Sequence, residues 1–314
     1  MKKKFYSLMV MLCLSFVIFF MFVNSNVVND SIFFSYELFI KNIFPSLFPM
    51  FIISYILVEI GIPEFLGSIF YKVFNKLFLV NSNASFVFFM SMITGFPSSA
   101  KYIDMLMDKK KIDSYDASKI LTFTFFSNPL FIVNTVGVMF LGSINLGFII
   151  LISHVIGNVL VGIVFRSYNK SNITEVIDVR KSIKDLVNRI NTTNFFSVFL
   201  NGIKDAINTM ILIFGIIVTF QIIIGILPCN VFFKGVIEMT TGLRAISFYD
   251  DLYLKVFLST FFISFGGFCV HTQIMNILNK KRVKYLPFLL ARVIHGVISA
   301  IIAIVLFHLM DGLL

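Results

Sequence analysis

The sequence predicts an all-α polytopic membrane protein with inverted repeats, two re-entrant helical hairpins and broken transmembrane helices. Three observations predict this fold class. Hydrophobic residues make up 58% of the 314 positions and charged residues only 13%, whereas roughly a quarter of the residues in a soluble globular chain are charged. Several uncharged stretches approach or exceed the roughly 20 residues that cross the hydrocarbon core as a helix. Two other apolar stretches are interrupted at corresponding positions of the two halves.

The first apolar stretch predicts a membrane anchor, which together with an interfacial segment occupies residues 1–43. Lys2, Lys3 and Lys4 precede an uncharged run from Phe5 to Val23. The apolar region of a secretory signal is usually shorter than this run and ends in small residues. We therefore expect the stretch to remain in the membrane.

The first repeat is expected over residues 44–165. It begins with a span from Pro45 to Ile62, followed by an amphipathic stretch from Glu64 to Val80 that is typical of an interfacial helix. Residues 121–165 contain no Asp, Glu, Lys or Arg. This length is sufficient for two spans, joined by the glycine-containing turn at residues 142–147.

A basic loop over residues 166–195 separates this repeat from a second one over residues 196–314. The stretch from Arg166 to Arg189 holds six basic and three acidic residues. The positive-inside rule assigns it to the cytoplasmic side, together with Lys2 to Lys4. The side of the cluster from Lys280 to Lys284 stays open. An inverted second half would place it outside as an exception to the rule; alternatively, the stretch from Val256 to Asn279 crosses completely and the last helix runs the other way.

Two interrupted apolar segments predict the re-entrant hairpins. The first covers residues 81–108 and is broken at Thr94-Gly-Phe-Pro-Ser-Ser99. The second covers residues 252–280 and is broken at Ser264-Phe-Gly-Gly267. Proline removes a backbone donor and disfavours helix in the residue before it. Sliding the sequence by 172 positions superposes the Gly-Phe pair of one break on that of the other, so the two segments correspond as repeats.

The paired breaks point to a solute-binding cavity. Each unpaired backbone group in hydrocarbon costs several kcal/mol, so irregular backbone persists at membrane depth only beside protein or water. Half-helix N-termini at such breaks present free N–H groups to a polar or anionic solute. Three crossings before the basic loop, an odd number, would make the second half inverted.

The candidate substrate-binding residues lie at or near these breaks. Glycines allow close backbone approach, and polar groups in uncharged stretches are expensive unless they face a cavity or a partner. A dicarboxylate would also require cations, and arginine suits bidentate carboxylate binding. The candidates are Gly95, Ser98, Ser99, Lys101, Ser127, Asn128, Gly266, Gly267, His271, Thr272, Gln273 and Arg292.

Several of these residues also have a purely structural interpretation. The two serines after the first break can cap a half-helix locally. The Ser127-Asn128-Pro129 break can be a simple kink, and Lys101 and Arg292 can extend to the membrane interface. His154 and His295 lie in apolar spans and are expected to form interhelical hydrogen bonds.

Three motifs carry a resemblance to a known family. The segments Thr94-Gly-Phe-Pro-Ser-Ser-Ala-Lys-Tyr102, Phe126-Ser-Asn-Pro-Leu-Phe131 and Ser264-Phe-Gly-Gly-Phe-Cys-Val-His-Thr-Gln273 resemble the sporulation integral membrane protein family of endospore formers, known as YlbJ or stage V sporulation protein V. The resemblance covers nearly the whole chain from Phe44 onward. It implies a relation to nucleoside-recognition, or gate-domain, proteins, which are similar to the core of concentrative nucleoside transporters. It also implies a role in carrying dipicolinic acid across the outer forespore membrane.

The sequence therefore favours a membrane transporter for a small anionic solute, and the resemblance implies dipicolinic acid. The alternatives are a nucleoside-type carrier and a non-transporting membrane scaffold that recruits partners through the basic loop. No GxSxG, HExxH, Walker or GxGxxG motif is present, so we expect no enzyme activity, cofactor or bound metal. Basic residues flank apolar segments, so no nucleic-acid partner is expected. The solute gradient or a coupling ion, Na⁺ or H⁺, would drive transport, and the formation of a homo-oligomer is left open.

Overall fold

The computed structural model describes residues 2–168, 178–227, 229–278 and 283–310. It confirms an all-α polytopic membrane protein, since the chain is 86% helical with no strand among the described residues. Part of the basic loop, residues 169–177, and most of the cluster from Lys280 to Lys284 lie outside these ranges. Five helical stretches in the described part are long and apolar enough to cross a membrane: Ser25–Ile60, Ile144–Ser167, Phe195–Ile226, Leu252–Ile277 and Tyr285–Met310.

The described residues form fifteen α-helices, three of which are extended by short helical turns of other types. The α-helices are α1 (Lys2–Val23), α2 (Ser25–Leu38), α3 (Phe44–Ile60), α4 (Ile62–Phe78), α5 (Ala84–Thr94), α6 (Ser98–Asp108), α7 (Ser114–Ile120), α8 (Ile144–Val164), α9 (Val179–Thr192), α10 (Phe195–Ile226), α11 (Val231–Ile237), α12 (Met239–Ile246), α13 (Leu252–Phe265), α14 (Gly267–Ile277) and α15 (Tyr285–Met310). A π-helical turn, Phe39–Ile43, joins α2 to α3, and a 3₁₀ turn, Phe165–Ser167, extends α8. A separate π-helix occupies Phe131–Phe140.

Two long helices pack along each other in opposite directions. The predicted span from Pro45 to Ile62 is only the second half of a continuous helix made of α2, the π-helical turn and α3. Its partner is α10, whose Gly202 faces Tyr55 and whose Gly225 faces Val27. The start of α10 therefore lies beside the end of the other helix, which is the antiparallel relation that inverted repeats require.

The second half repeats the helix order of the first at the same offset of 172 residues. At this offset the long helix α2–α3 overlaps α10, the amphipathic α4 overlaps α11 and α12, and the broken pair α5–α6 overlaps α13–α14. The stretch from α7 to the end of the π-helix overlaps α15. Contacts repeat as well, because α3 packs on α6 as α10 packs on α14, and α6 and α14 contact each other.

The two broken segments differ in how their halves pack. Helices α5 and α6 lie against each other as a hairpin. Helices α13 and α14 contact each other only near the break, where Phe265 meets Phe268 and His271. Along their length, α13 packs against α8 and α15, and α14 against α6 and α10. The chain turns at Gly266 and Gly267, whose φ angles are 89° and 72°. The second segment is therefore open, whereas the hairpin prediction for residues 252–280 expected two halves packed side by side.

The structure also differs from the predicted pair of spans over residues 121–165. Only α8 has the length of a span, because residues 124–128 are non-helical and the π-helix that follows is ten residues long. Asn128 explains the local break: its side-chain Oδ1 accepts a hydrogen bond from the backbone N–H of Leu130 at 2.8 Å, and Pro129 lacks an N–H. Residues 124–128 therefore run through the core as irregular backbone; we call this segment the irregular strand, although it is not a β-strand.

The basic loop contains a helix that docks on the first half. Asp178 caps α9 by accepting from the backbone N–H of Arg180, and α9 packs against α3 and α4. Arg189 of α9 lies 3.0 Å from the Glu64 carboxylate, which also pairs with Lys111 at 2.7 Å. Burial alone would raise the pKa of Glu64, but the hydrogen bond and charge of Lys111 and the charge of Arg189 outweigh it and lower that pKa.

Candidate functional site

A cavity of about 550 Å³ lies where irregular backbone from both halves meets. The first break contributes Thr94 and Pro97 to its wall, and α14, which follows the second break, contributes Gln273. Polar residues from several elements face this space. They are Asn42, Ser46, Thr94, Ser127, Asn128, Asn134, Thr135, Glu238, Thr240 and Gln273.

The first break packs directly on the irregular strand. Gly95 has φ 80° and ψ 175°, a conformation essentially restricted to glycine. A Cβ atom at Gly95 would lie 2.9 Å from the Cα of Asn128 and closer still to its backbone nitrogen. Ser98 hydrogen-bonds with the carbonyl of Gly95 and with the Thr94 hydroxyl, the latter at 2.5 Å. Ser98 thus bonds back to the break and does not cap α6 through its side chain.

Phe125 connects the two breaks. Its ring stacks on Phe96 of the first break with a centroid distance of 4.7 Å. On the other side, a Cβ atom at Gly266 would lie 2.7 Å from Phe125 Cε1. The breaks therefore enclose the irregular strand between them, and only glycine at the second break leaves room for the ring.

Asn128 and Ser127 face the cavity from the irregular strand. The Asn128 amide donates to Ser46 Oγ at 2.8 Å and to the Thr94 carbonyl at 3.4 Å. The backbone N–H of Ser127 donates to His154 Nε2 at 3.0 Å. These bonds supply partners that a helix would otherwise provide, and they fix both residues at the cavity wall.

Glu238 is a cavity residue that our sequence analysis missed. It caps α12, with Oε1 accepting from the backbone N–H of Thr240 at 3.0 Å and Oε2 from that of Thr241 at 2.8 Å. Gln221 donates to Oε2 at 3.0 Å. The available signal was that Glu238 is the only acidic residue between Asp205 and Asp250, because a carboxylate in an apolar membrane segment usually marks a functional site.

Lys101 does not reach this cavity. Its ammonium group forms an ion pair of 2.6 Å with Asp205 of α10, and its side chain is only 7% exposed. Both residues line a second cavity of about 240 Å³ together with Glu59. Lys101 therefore has an ion-pair partner in the other half and does not extend to the membrane interface.

Arg292 is completely buried and also lies outside the cavity wall. Its guanidinium donates to the carbonyl of Thr122, to Asn158 Oδ1 at 3.4 Å and to His295 Nδ1 at 2.8 Å. It also lies 4.7 Å from the centre of the Phe125 ring. Arg292 therefore supports the irregular strand from behind. The extension to the membrane interface does not occur.

The two histidines of the apolar spans are part of the same network. His154 hydrogen-bonds with Ser264 at 2.9 Å, and His295 Nε2 contacts the His154 carbonyl oxygen at 2.9 Å. This arrangement links the irregular strand to α13 and α15. It agrees with the expectation of interhelical hydrogen bonds.

The three polar residues after the second break face different directions. His271 hydrogen-bonds with Tyr285 at 3.1 Å and with the Phe265 carbonyl at 2.8 Å, and it does not line the cavity. Thr272 is exposed on the outer face of α14 and donates to the Phe268 carbonyl. Gln273 alone of the three lines the cavity.

The structure thus separates the twelve candidates into three groups. Ser127, Asn128 and Gln273 line the cavity. The three glycines and Ser98 shape the breaks without contributing to the wall. The remaining five lie elsewhere: Ser99, Lys101, His271, Thr272 and Arg292. No lysine, arginine or histidine lines the cavity among the described residues, so the cations expected for an anionic solute are not at its wall.

Comparison with known proteins gives one informative match. No family model matches the chain, and no solved structure matches it. The chain is 28% identical over 300 aligned residues to the sporulation integral membrane protein YlbJ of Bacillus subtilis (strain 168), and the match covers 84% of this chain and 74% of that protein. Together with the three motifs, this similarity supports placing the chain in the YlbJ family of sporulation integral membrane proteins.

Proposed function

We propose that this protein transports a small polar solute through the cavity at the two breaks and has no catalytic activity. The observation that carries the proposal is that two irregular backbone stretches and one half-helix enclose a single cavity with polar groups in its wall. They are the first break, the irregular strand of residues 124–128, and α14, which begins at the second break. Discontinuous helices that meet in this way are the usual binding-site architecture of secondary transporters.

The relative's name extends the proposal to a cellular setting. Because that protein is called a sporulation integral membrane protein, we propose that this chain acts in a membrane of a sporulating cell. The motif resemblance specifies the outer forespore membrane and dipicolinic acid. We take dipicolinic acid as the first substrate to test.

The cavity has the size and the neutral donors that a planar dicarboxylate would use. Ligand pockets are commonly about 300–1,000 Å³, and this one is about 550 Å³. The amides of Asn42 and Asn134 can donate to carboxylate oxygens, and the Phe96 and Phe131 rings offer aromatic surface. With no basic residue at the described wall, these neutral groups would carry the recognition.

A nucleoside-type solute is the second candidate, and Glu238 favours it. A carboxylate accepts hydrogen bonds from hydroxyl groups, and an uncharged solute suits a wall without cations. The two predicted hairpins contain no glutamate that could bind ribose hydroxyls. In the structure, Glu238 reaches the same cavity from the junction of α11 and α12.

The test is uptake of radiolabelled dipicolinate and of a labelled nucleoside by proteoliposomes that contain the purified protein. Asn134→Leu removes a cavity amide, and Thr272→Val removes a polar group on the outer face of α14 as a matched control. A lost hydrogen bond with a solute is worth about 0.5–1.5 kcal/mol, or 1.5–3 kcal/mol if the solute is charged. We therefore expect Asn134→Leu to reduce uptake roughly 2- to 150-fold and Thr272→Val to have no effect.

Two results would contradict the proposal. If neither solute is taken up, or if the two variants behave alike, the cavity does not carry transport of these solutes. The scaffold alternative makes the opposite prediction. It expects Lys181→Glu and Lys184→Glu on the exposed face of α9 to block sporulation while cavity variants have no effect.

A further inference from the structure

Glu238 is the only charged residue at the cavity wall among the described residues, and it is 4% exposed. Its two carboxylate oxygens have different environments. Oε2 accepts from Gln221 Nε2 and from the backbone and hydroxyl of Thr241. Oε1 accepts from the backbone N–H of Thr240. A carboxylate oxygen can accept two hydrogen bonds, so Oε1 retains capacity for a ligand in the cavity.

The negative charge of Glu238 is held by neutral donors without a cation. Among the described residues, no ion pair joins Glu238 to Lys234 of α11 or to Arg244 of α12, and Arg244 lies 5.8 Å from the centre of the Phe34 ring. Two buried basic residues of the core are also engaged elsewhere. Lys101 pairs with Asp205 beside the second cavity, and Arg292 is bonded to a carbonyl, an amide and an imidazole behind the irregular strand. Electrostatic attraction is strong in a site of low dielectric constant. The cavity therefore favours the binding of a cation and disfavours the binding of an anion without a counter-ion.

Backbone packing holds Glu238 beside the second break. A Cβ atom at Gly267 would lie 3.0 Å from the backbone nitrogen of Met239 and 3.4 Å from the Cα of Glu238. The glycine thus allows the junction of α11 and α12 to approach the start of α14. This contact places the carboxylate next to Gln273 and Thr240, which line the same cavity.

We propose that Glu238 binds a monovalent cation in this cavity, either an inorganic ion or the ammonium group of a solute. One carboxylate with neutral oxygens suits a single positive charge, whereas divalent calcium sites generally combine several carboxylates and carbonyls. No cluster of three His, Cys, Asp or Glu residues occurs in the described part of the chain. The participation of this cation in transport rests on the proposed function. A dianionic solute would then enter together with a cation.

The experiment measures cation binding directly on the purified full-length protein, without solute. The thermal unfolding midpoint is followed while NaCl, KCl or methylammonium chloride replaces N-methyl-D-glucamine chloride at constant ionic strength. A ligand at concentration L that binds only the folded state stabilises it by RT ln(1 + L/Kd), so the midpoint begins to rise near the dissociation constant and then increases with the logarithm of the ligand concentration. We expect this rise for the wild type, and the more effective salt distinguishes an inorganic ion from an organic ammonium.

The variants assign the effect to Glu238. Glu238→Gln should abolish the cation-dependent rise of the midpoint. Asp113→Asn is the matched control, because Asp113 caps α7 by accepting from two backbone N–H groups and does not line the cavity; it should retain the rise. If Glu238→Gln does not fold, Glu238→Asp should fold and bind the cation at least about tenfold more weakly.

Three outcomes would overturn the inference: no cation effect on the wild type, an unchanged effect in Glu238→Gln, or an unchanged dissociation constant in Glu238→Asp. The assay contains no transported solute. Cation binding at Glu238 without uptake of any solute would therefore refute the proposed function and leave this inference intact.

Discussion

The close contact between Gly95 and Asn128 leads to a prediction with a built-in control. In Gly95→Ala, the residue must keep φ 80° and ψ 175°, which costs about 1–3 kcal/mol for a residue with a side chain. The new methyl group also overlaps the backbone of Asn128, and overpacking of this kind costs about 1–3 kcal/mol. The combined loss of about 2–6 kcal/mol is a large part of an ordinary stability of about 5–15 kcal/mol.

Gly142→Ala separates the two contributions. Gly142 also has a positive φ, 72°, but a Cβ atom there would meet nothing within 4 Å. This variant should therefore lose only the conformational part, about 1–2 kcal/mol. Both variants are compared by thermal unfolding in detergent and by dipicolinate binding. We expect Gly95→Ala to unfold at the lower temperature and, because the overlap displaces Asn128 from the cavity wall, to bind more weakly.

Two results would contradict this explanation of the contact between Gly95 and Asn128. Equal unfolding temperatures for the two variants would show that contact with Asn128 adds nothing to the backbone strain. A destabilised Gly95→Ala protein that binds dipicolinate normally would show that the contact supports the fold but does not position the cavity wall.

Two further predictions concern ionic contacts away from the cavity. Lys101→Met should lower the free energy of unfolding by about 1.5–3 kcal/mol, the value of a charged hydrogen bond, and leave solute binding unchanged. The double variant with Asp205→Leu should recover part of that stability in the same unfolding assay. The pKa of Glu64 is lower in the folded protein than in the unfolded chain. The ionised carboxylate therefore stabilises the fold above the unfolded pKa of about 4.3, and this stabilisation is lost as pH falls through the folded pKa. Unfolding midpoints measured from pH 7 to pH 3 should therefore fall less steeply for Glu64→Gln, and identical slopes would contradict the proposed coupling of Glu64 to Lys111 and Arg189.

The breaks were predictable from sequence because glycine and proline act locally. Gly95, Pro97 and Gly266 determine backbone conformation through their own covalent structure, so their effect requires no knowledge of distant residues. The same applies to the repeated order of helices, which follows from the spacing of apolar and amphipathic stretches. The open geometry of the second break depends on which helices α13 packs against, and sequence spacing does not contain that information.

The site residues were harder to predict because their partners are far away in sequence. Lys101 was expected to meet a solute or to extend to the interface, and its ammonium group pairs with Asp205, 104 positions later. Arg292 was expected at the cavity or the interface, and its acceptors at Thr122 and Asn158 precede it by 170 and 134 positions. A charged side chain in an apolar segment signals that a partner exists, without showing whether the partner is a ligand or another helix.

The antiparallel pairing of the two long helices shows where the cavity lies relative to the two halves of the chain. Gly202 faces Tyr55 and Gly225 faces Val27, so the turn that contains Asn42 lies opposite the middle of α10, where the rings of Phe39 and Phe214 meet at 4.9 Å. Phe214 is also the residue 172 positions after Asn42. The two long helices therefore meet at corresponding positions of the two halves at this level, and Asn42 and Ile213 both line the cavity there. If this cavity is the transport site proposed above, an exchange of conformation between the two halves would open it to either face of the membrane without moving the site itself.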